Sequence, residues 1–208
     1  MRVILAVIHN NQRGNSMAKA TDHEVVSIYP FSDAQINELM TKAPECVLMW
    51  STKDHWPVGV VHSFVWHDGK VWLTFANHRH RAAAIRRDPR VSVAITGRTL
   101  APDDTPKGQA TMKGRAVFHE DRATKEWFYR ALSKKQSPND PVGEQDFYNL
   151  LDSPLRTVLE IVPEKWITFD AGKSARHRAG TLPESEMGPK LNSDTERLEA
   201  ERKQRGLA

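Results

Sequence analysis

The chain has 208 residues, 39% hydrophobic and 27% charged, with a net charge of +4. That composition suits one globular domain with tails and excludes a fibrous or wholly disordered chain. No apolar run approaches the ~20 residues that cross a bilayer, and the single cysteine, Cys46, excludes an intrachain disulfide or a multi-cysteine metal site, so a cytoplasmic protein with no membrane partner is expected.

Residues 1–22 show neither a helical nor a strand period and are read as a flexible extension, with Met17 an alternative start. Ser32 and Gln35 have the spacing of a capping box, and Ile36, Leu39 and Met40 form the apolar stripe of the helix that follows. Cys46–Trp50 is a short apolar strand. Val58–Trp66 alternates as a half-buried strand should, and Asp68-Gly69 supplies the positive φ angles of a tight hairpin into Val71–Phe75. Asn77–Arg87 holds helix-forming Ala and Arg residues that stop at Asp88-Pro89. Strands at Val91–Ile95 and Ala110–Phe118 flank a Pro-rich loop. Asp121 is an N-cap for a helix through Trp127, Phe128 and Leu132, and a shorter helix covers Glu144–Leu151. The last strand, Thr157–Val162, ends at Pro163. From Gly172 the composition is charged and poor in large apolar groups, so residues 172–208 read as a mobile tail with a transient helix near Glu196–Lys203. The expected fold is mainly β (α+β): a small six-stranded antiparallel barrel with peripheral helices, spanning residues 23–171, which the resemblance described below makes a split β-barrel.

The chemistry concentrates in Thr74-Phe75-Ala76-Asn77-His78-Arg79-His80-Arg81, where a strand hands over to a helix. A helix N-terminus offers unpaired N–H groups and the positive end of its dipole, and Arg79 and Arg81 add planar donors suited to a phosphate. A solvated basic helix face accounts for the same charges. Nine histidines without paired acidic spacing form no metal motif. Cys46, inside an apolar strand, reads as buried and inert.

The order of these elements, with Ile85-Arg86-Arg87-Asp88-Pro89-Arg90-Val91-Ser92 closing the basic segment, resembles the pyridoxamine phosphate oxidase-like family of flavin and deazaflavin proteins, the split β-barrel group. The resemblance follows the element order from Ser32 to Phe169 and is specific across Val58–Ile95. It implies that Arg81 grips the cofactor phosphate, with His80 and Arg79 beside it. It also implies that Thr74 and Phe75 line the cofactor, and that Val58, Val60 and Val61 lie by the isoalloxazine ring. Arg79 stands where the family commonly has Ser, His78 where it has Gly, and Ala84 where it has Asn. The substrate signature of true pyridoxamine phosphate oxidases is not recognisable near the C-terminus. Trp50, Trp56 and Trp166 are candidate walls for a flat slot, and Lys113, pointing outward from its strand, could reach a phosphate or ring carbonyl across a subunit contact. The expected function is therefore hydride transfer between FMN and a small-molecule substrate by a homodimer with cofactor sites at its subunit interface. The deazaflavin F-420 is the alternative cofactor, favoured by the extra Arg86, Arg87 and Arg90. Haem, with His177 as a ligand, ranks third. A non-catalytic flavin or haem carrier is the competing function. A nucleic-acid-binding barrel is disfavoured, because its strands would alternate basic and aromatic groups outward.

Overall fold

The computed structural model describes residues 25–101, 104 and 106–207. The proposed extension 1–22 and the alternative start at Met17 lie outside the described residues. The described chain forms two units, of which Val26–Pro189 holds the sheet.

Helix α1 (Asp33–Lys42) starts at the capping box: Ser32 Oγ accepts from the Gln35 amide at 3.3 Å, and Gln35 Oε1 accepts from the Ser32 amide at 2.9 Å. Its Ile36, Leu39 and Met40 are buried. Seven antiparallel strands follow: β1 (Glu45–Ser51), β2 (Pro57–Ser63), β3 (Val65–His67), β4 (Lys70–Ala76), β5 (Arg90–Thr96), β6 (Gly108–His119) and β7 (Arg156–Asp170). Their order across the sheet is β2-β1-β5-β6-β7-β4-β3. The β3–β4 hairpin turns on Asp68 at φ 51° and Gly69 at φ 68°, the positive pair that a two-residue loop requires.

Two expectations are corrected here. The stretch Val58–Trp66 is not one strand but two, so there are seven strands rather than six. It changes partner at Phe64: β2 pairs with β1, whereas β3 pairs with β4 at the far edge of the sheet. The edges of the sheet are thus consecutive pieces of one segment, and the sheet curls into a half-barrel around the fully buried Phe64 ring. The last strand also runs past Pro163 to Asp170. Gly114 faces Pro163 and Lys113 faces Lys165, which leaves Glu164 as the extra residue of a bulge. Proline cannot donate to a ladder, and the bulge accommodates it. Gly114 is needed there because an added Cβ would sit 2.5 Å from the Val162 carbonyl oxygen.

Between the strands, α2 (His80–Arg87) packs Ala82, Ala84 and Ile85 into the barrel core, while α3 (Arg122–Gln136) and α4 (Pro141–Leu151) cover the opposite face of β4 and β7. This covering explains the unbroken burial from Val71 to Phe75: Val71, Leu73 and Phe75 join the barrel core, and Trp72 joins Phe128, Tyr129 and Leu132 under the helices. The compact unit extends beyond the boundary expected at residue 171. Helix α5 (Ala171–Arg178) is capped by Asp170, and its Lys173 ammonium donates to the Pro30 carbonyl at 2.8 Å. In the other unit, α6 (Asn192–Gln204) is charged along its length and buries no residue.

At the corner, the Lys135 ammonium donates to the Ala43 carbonyl at 2.7 Å and sits 4.1 Å from the Phe64 ring centre. Burial lowers the Lys135 pKa from 10.5 to about 8, while burial pushes the Cys46 thiol up from 9.0 to about 12. Truncation by Phe64→Ala is expected to cost about 3–5 kcal/mol in urea unfolding. The Lys135 effect has a defined sign. Between pH 8 and 9 the unfolded chain holds the lysine proton that the folded chain has begun to release, so stability rises with pH there. Above pH 9 Cys46 acts in the reverse sense. Lys135→Met should abolish the rise in urea midpoint between pH 8 and 9.

Candidate functional site

The strand-to-helix turn at residues 76–80 is fixed by backbone contacts. The Asn77 amide donates to the Leu155 carbonyl at 2.7 Å, and the Arg79 amide to the Ala76 carbonyl at 3.0 Å. Arg79 is the N-cap of α2, and no side chain caps that helix end. The Ala82 amide donates to the Arg79 carbonyl at 2.9 Å, which leaves the His80 and Arg81 amides at the helix start, where the dipole adds partial positive charge.

The arginine run divides into two sets. Arg86 donates to Asn77 Oδ1 at 2.8 Å, pairs with Glu120 at 3.1 Å, and lies over the Phe118 ring. Arg87 donates to the Ser51 carbonyl, and Arg90 pairs with Asp88 at 2.6 Å. The Arg90 guanidinium holds the Asp88 carboxyl down at a pKa of about 2. Arg79 and Arg81, by contrast, make no ion pair or side-chain hydrogen bond among the described residues, and Arg156 at the start of β7 joins them in this. The Arg81 guanidinium carbon lies 5.3 Å from the Phe75 ring centre, and its Nε is buried without a partner. Burial, then Arg79 and Arg156, lowers the Arg81 pKa. His62 on β2 shares this corner, its ring 6.1 Å from that of Phe75, with Nε2 buried and unpartnered. Burial, then Arg81 and Arg156, lowers the His62 pKa to about 4.

Cross-strand partners share a face of a sheet, and this sorts the remaining candidates. The row Val60–Leu48–Val93–Met112–Trp166 faces the barrel interior, where Val58 also points. The rows Val61–Val47–Ala94–Thr111–Ile167 and Gly59–Met49–Ser92–Lys113–Lys165 face outward. Lys113 lines an outer cleft of about 510 Å³ with Met49, Ser92 and Arg90. Thr74 is on the side of β4 away from Phe75, where its hydroxyl donates to the Thr157 carbonyl at 2.7 Å. His80 is exposed at the first position of α2.

The structure therefore brings Phe75, Arg79 and Arg81 together, and places Val61 and Lys113 on the opposite side of the sheet from Val58, Val60 and Trp166. The three tryptophans do not form one wall. Trp50 is in the core, Trp56 is 68% exposed at the β1–β2 tip, and Trp166 packs edge-on against Trp66. His177 is in α5, its Nδ1 2.7 Å from the Tyr29 hydroxyl. Sequence reading missed His62 and Arg156. The inward phase of His62 in the β2 alternation was a usable signal. Arg156 gives none, because its neighbours come from residues far away in the chain. Among the described residues no group of three His, Cys, Asp or Glu side chains could hold a metal ion, and no helix is long and apolar enough to cross a membrane.

Comparison with known proteins gives the following. A search of curated proteins returns no match. A conserved hypothetical protein of Mycobacterium tuberculosis superposes with a TM-score of 0.60 at 18% identity, over 80% of this chain and 96% of that one. An Agrobacterium tumefaciens protein of unknown function gives 0.51 at 13% identity, over 74% and 58%. A Bacteroides thetaiotaomicron protein provisionally assigned to 5-nitroimidazole antibiotic resistance gives 0.51 at 12%, over 66% and 82%. At these identities the likeness is one of fold. The family model for pyridoxamine 5'-phosphate oxidase matches residues 32–170, which take in the whole sheet and the β4–α2 turn. On that match the chain belongs to the pyridoxamine 5'-phosphate oxidase family.

Proposed function

We propose that this protein binds FMN and transfers hydride between it and a small-molecule substrate, as a cytoplasmic homodimer. The observation that carries the reading is the pair Arg79 and Arg81, uncompensated by any carboxylate among the described residues, at an uncapped helix start inside the family-matched segment. The residues fit the group. A phosphate would accept from the orphaned Arg81 Nε and from the His80 and Arg81 amides, and a guanidinium matches its oxygens in pairs. Bound flavin would supply the redox chemistry, and the protein the position and the field. Phe75 holds Arg81 in place from below, and Val58 and Val60 give the barrel mouth an apolar wall.

The deazaflavin F-420 is the alternative cofactor, but the arginines that would suit its longer anionic tail are committed elsewhere: Arg86 to Glu120, Arg87 to Ser51 and Arg90 to Asp88. FMN needs only the arginines that remain. The dimer reading is supported by the outward row of β-branched and small side chains. Val61 and Ile167 are 57% and 52% exposed, and neither core includes any residue of the row. In a dimer built on that face, Val61 and Lys113 would serve the cofactor of the facing protomer, which accounts for their separation from Arg81 within one chain.

Arg81→Glu is expected to weaken FMN binding more than tenfold, about 1.4 kcal/mol, in a fluorescence titration, while Arg205→Glu at the C-cap of α6 leaves it unchanged. Equal affinities would refute the phosphate placement. A protein that holds FMN yet turns over no reductant or substrate would be a carrier. Val61→Glu should convert dimer to monomer in light scattering, because it buries an unpaired charge at the contact.

A further inference from the structure

Residues 32–170 carry the family match, and the chain adds structure on either side of them. The two additions fasten to one another. The Gly188 amide donates to the Ile28 carbonyl at 3.0 Å, and the Tyr29 hydroxyl lies 2.7 Å from His177 Nδ1. Each also holds the end of β7: the Asp170 amide donates to the Tyr29 carbonyl at 2.8 Å, and the Asp170 side chain caps α5. Where they meet is a cavity of about 780 Å³, at the opposite end of β7 from the β4–α2 turn. Ligand pockets of ~300–1,000 Å³ are usual for small molecules. Pro30, Lys173, Arg176, Glu186 and Met187 all line it from outside the matched segment, so the family match does not account for the cavity.

Its walls are part apolar and part charged. Pro30 and Met187 supply apolar surface. The charged groups are Lys107, Lys173 and Arg176 against Asp170 and Glu186, three cations to two carboxylates and so a net charge of +1. Both carboxylates are answered within the protein. Asp170, 5% exposed, accepts from the Gln35 side-chain amide at 2.7 Å and from the Lys173 backbone amide at 3.0 Å, and Glu186 pairs with Arg176. The two ammonium groups are not answered in kind. Lys173 Nζ donates to the Pro30 carbonyl and Lys107 Nζ to the Ala101 carbonyl, each at 2.8 Å, and neither meets a carboxylate among the described residues. An ammonium carries three donors, so each keeps two for a further acceptor.

We propose that this cavity binds a small organic acid with one carboxylate and an apolar body. The carboxylate takes the free donors of Lys107 and Lys173, and the body lies against Pro30 and Met187. The charge count selects the class. One negative charge neutralises the walls, whereas a dianion overshoots beside Asp170 and Glu186, and an uncharged ligand leaves the ammonium groups unanswered. The site is independent of the flavin reading, which rests on residues at the other end of β7.

The test uses the full chain with isotope-labelled methionine methyl groups, and benzoate as the probe. Benzoate should move the Met187 methyl resonance, assigned with Met187→Leu, to saturation. Benzyl alcohol, its uncharged counterpart, should bind at least tenfold more weakly, and inorganic sulfate, a charge without an apolar body, should compete only weakly. Lys107→Met combined with Lys173→Met should weaken benzoate at least tenfold, and added FMN should leave its affinity unchanged. A Met187 resonance that benzoate does not move, equal affinity for benzyl alcohol, or full affinity in the double variant overturns the proposal. Sulfate competing as well as benzoate overturns the organic acid, and competition by FMN overturns the independent site. Should the double variant not fold, the three probes on the wild-type chain decide alone.

Discussion

The change of partner at Phe64 is the constraint on which the architecture rests. A flat sheet with this strand order would leave β2 and β3 far apart, yet they are separated by one residue, so the sheet must curl. Burying the ring at the bend and clamping it from α3 through Lys135 offsets the ladder bonds that the bend interrupts. Curling in turn carries β2 toward the end of β4. That approach lets His62 lie against Phe75, and it sets the inner face of the barrel next to the start of α2.

The basic corner is assembled against local electrostatic preference. Half-buried guanidiniums repel one another and lose hydration, and the molecule supplies no carboxylate to relieve them among the described residues. Elsewhere on the same short stretch it does so at once, pairing Arg86 with Glu120 and Arg90 with Asp88. A fold that satisfies its outlying arginines and leaves its central ones unsatisfied has placed strain where a ligand can remove it.

Much of this was legible in the sequence, wherever the information is local. The Ser32–Gln35 capping box, the Asp68-Gly69 hairpin, the Asp121 cap and the stop at Asp88-Pro89 each depend on a few neighbouring residues, and each forms as read. The basic corner was legible for Arg79 and Arg81 because turn and helix lie next to each other in the chain. Three things were not. The break at Phe64 leaves the alternation of Val58–Trp66 intact, so nothing in the pattern marks it. The continuation of β7 was hidden because proline ordinarily ends a strand. Arg156 and His62 reach the corner only through the β4–β7 pairing and the curl of the sheet, which no short window contains.

The bulge at Glu164 also resets the parity of β7. Leu159 and Ile161 point into the barrel, and an unbroken pleat would send Lys165 and Ile167 the same way. The supernumerary residue shifts the count, so Trp166 and Thr168 turn inward and the lysine turns out. Removing Glu164 would leave that facing intact, because Pro163 and Lys165 already oppose neighbouring residues of β6, whereas pairing every residue of β7 without the bulge would thrust an ammonium into the hydrocarbon interior and strand an indole in water.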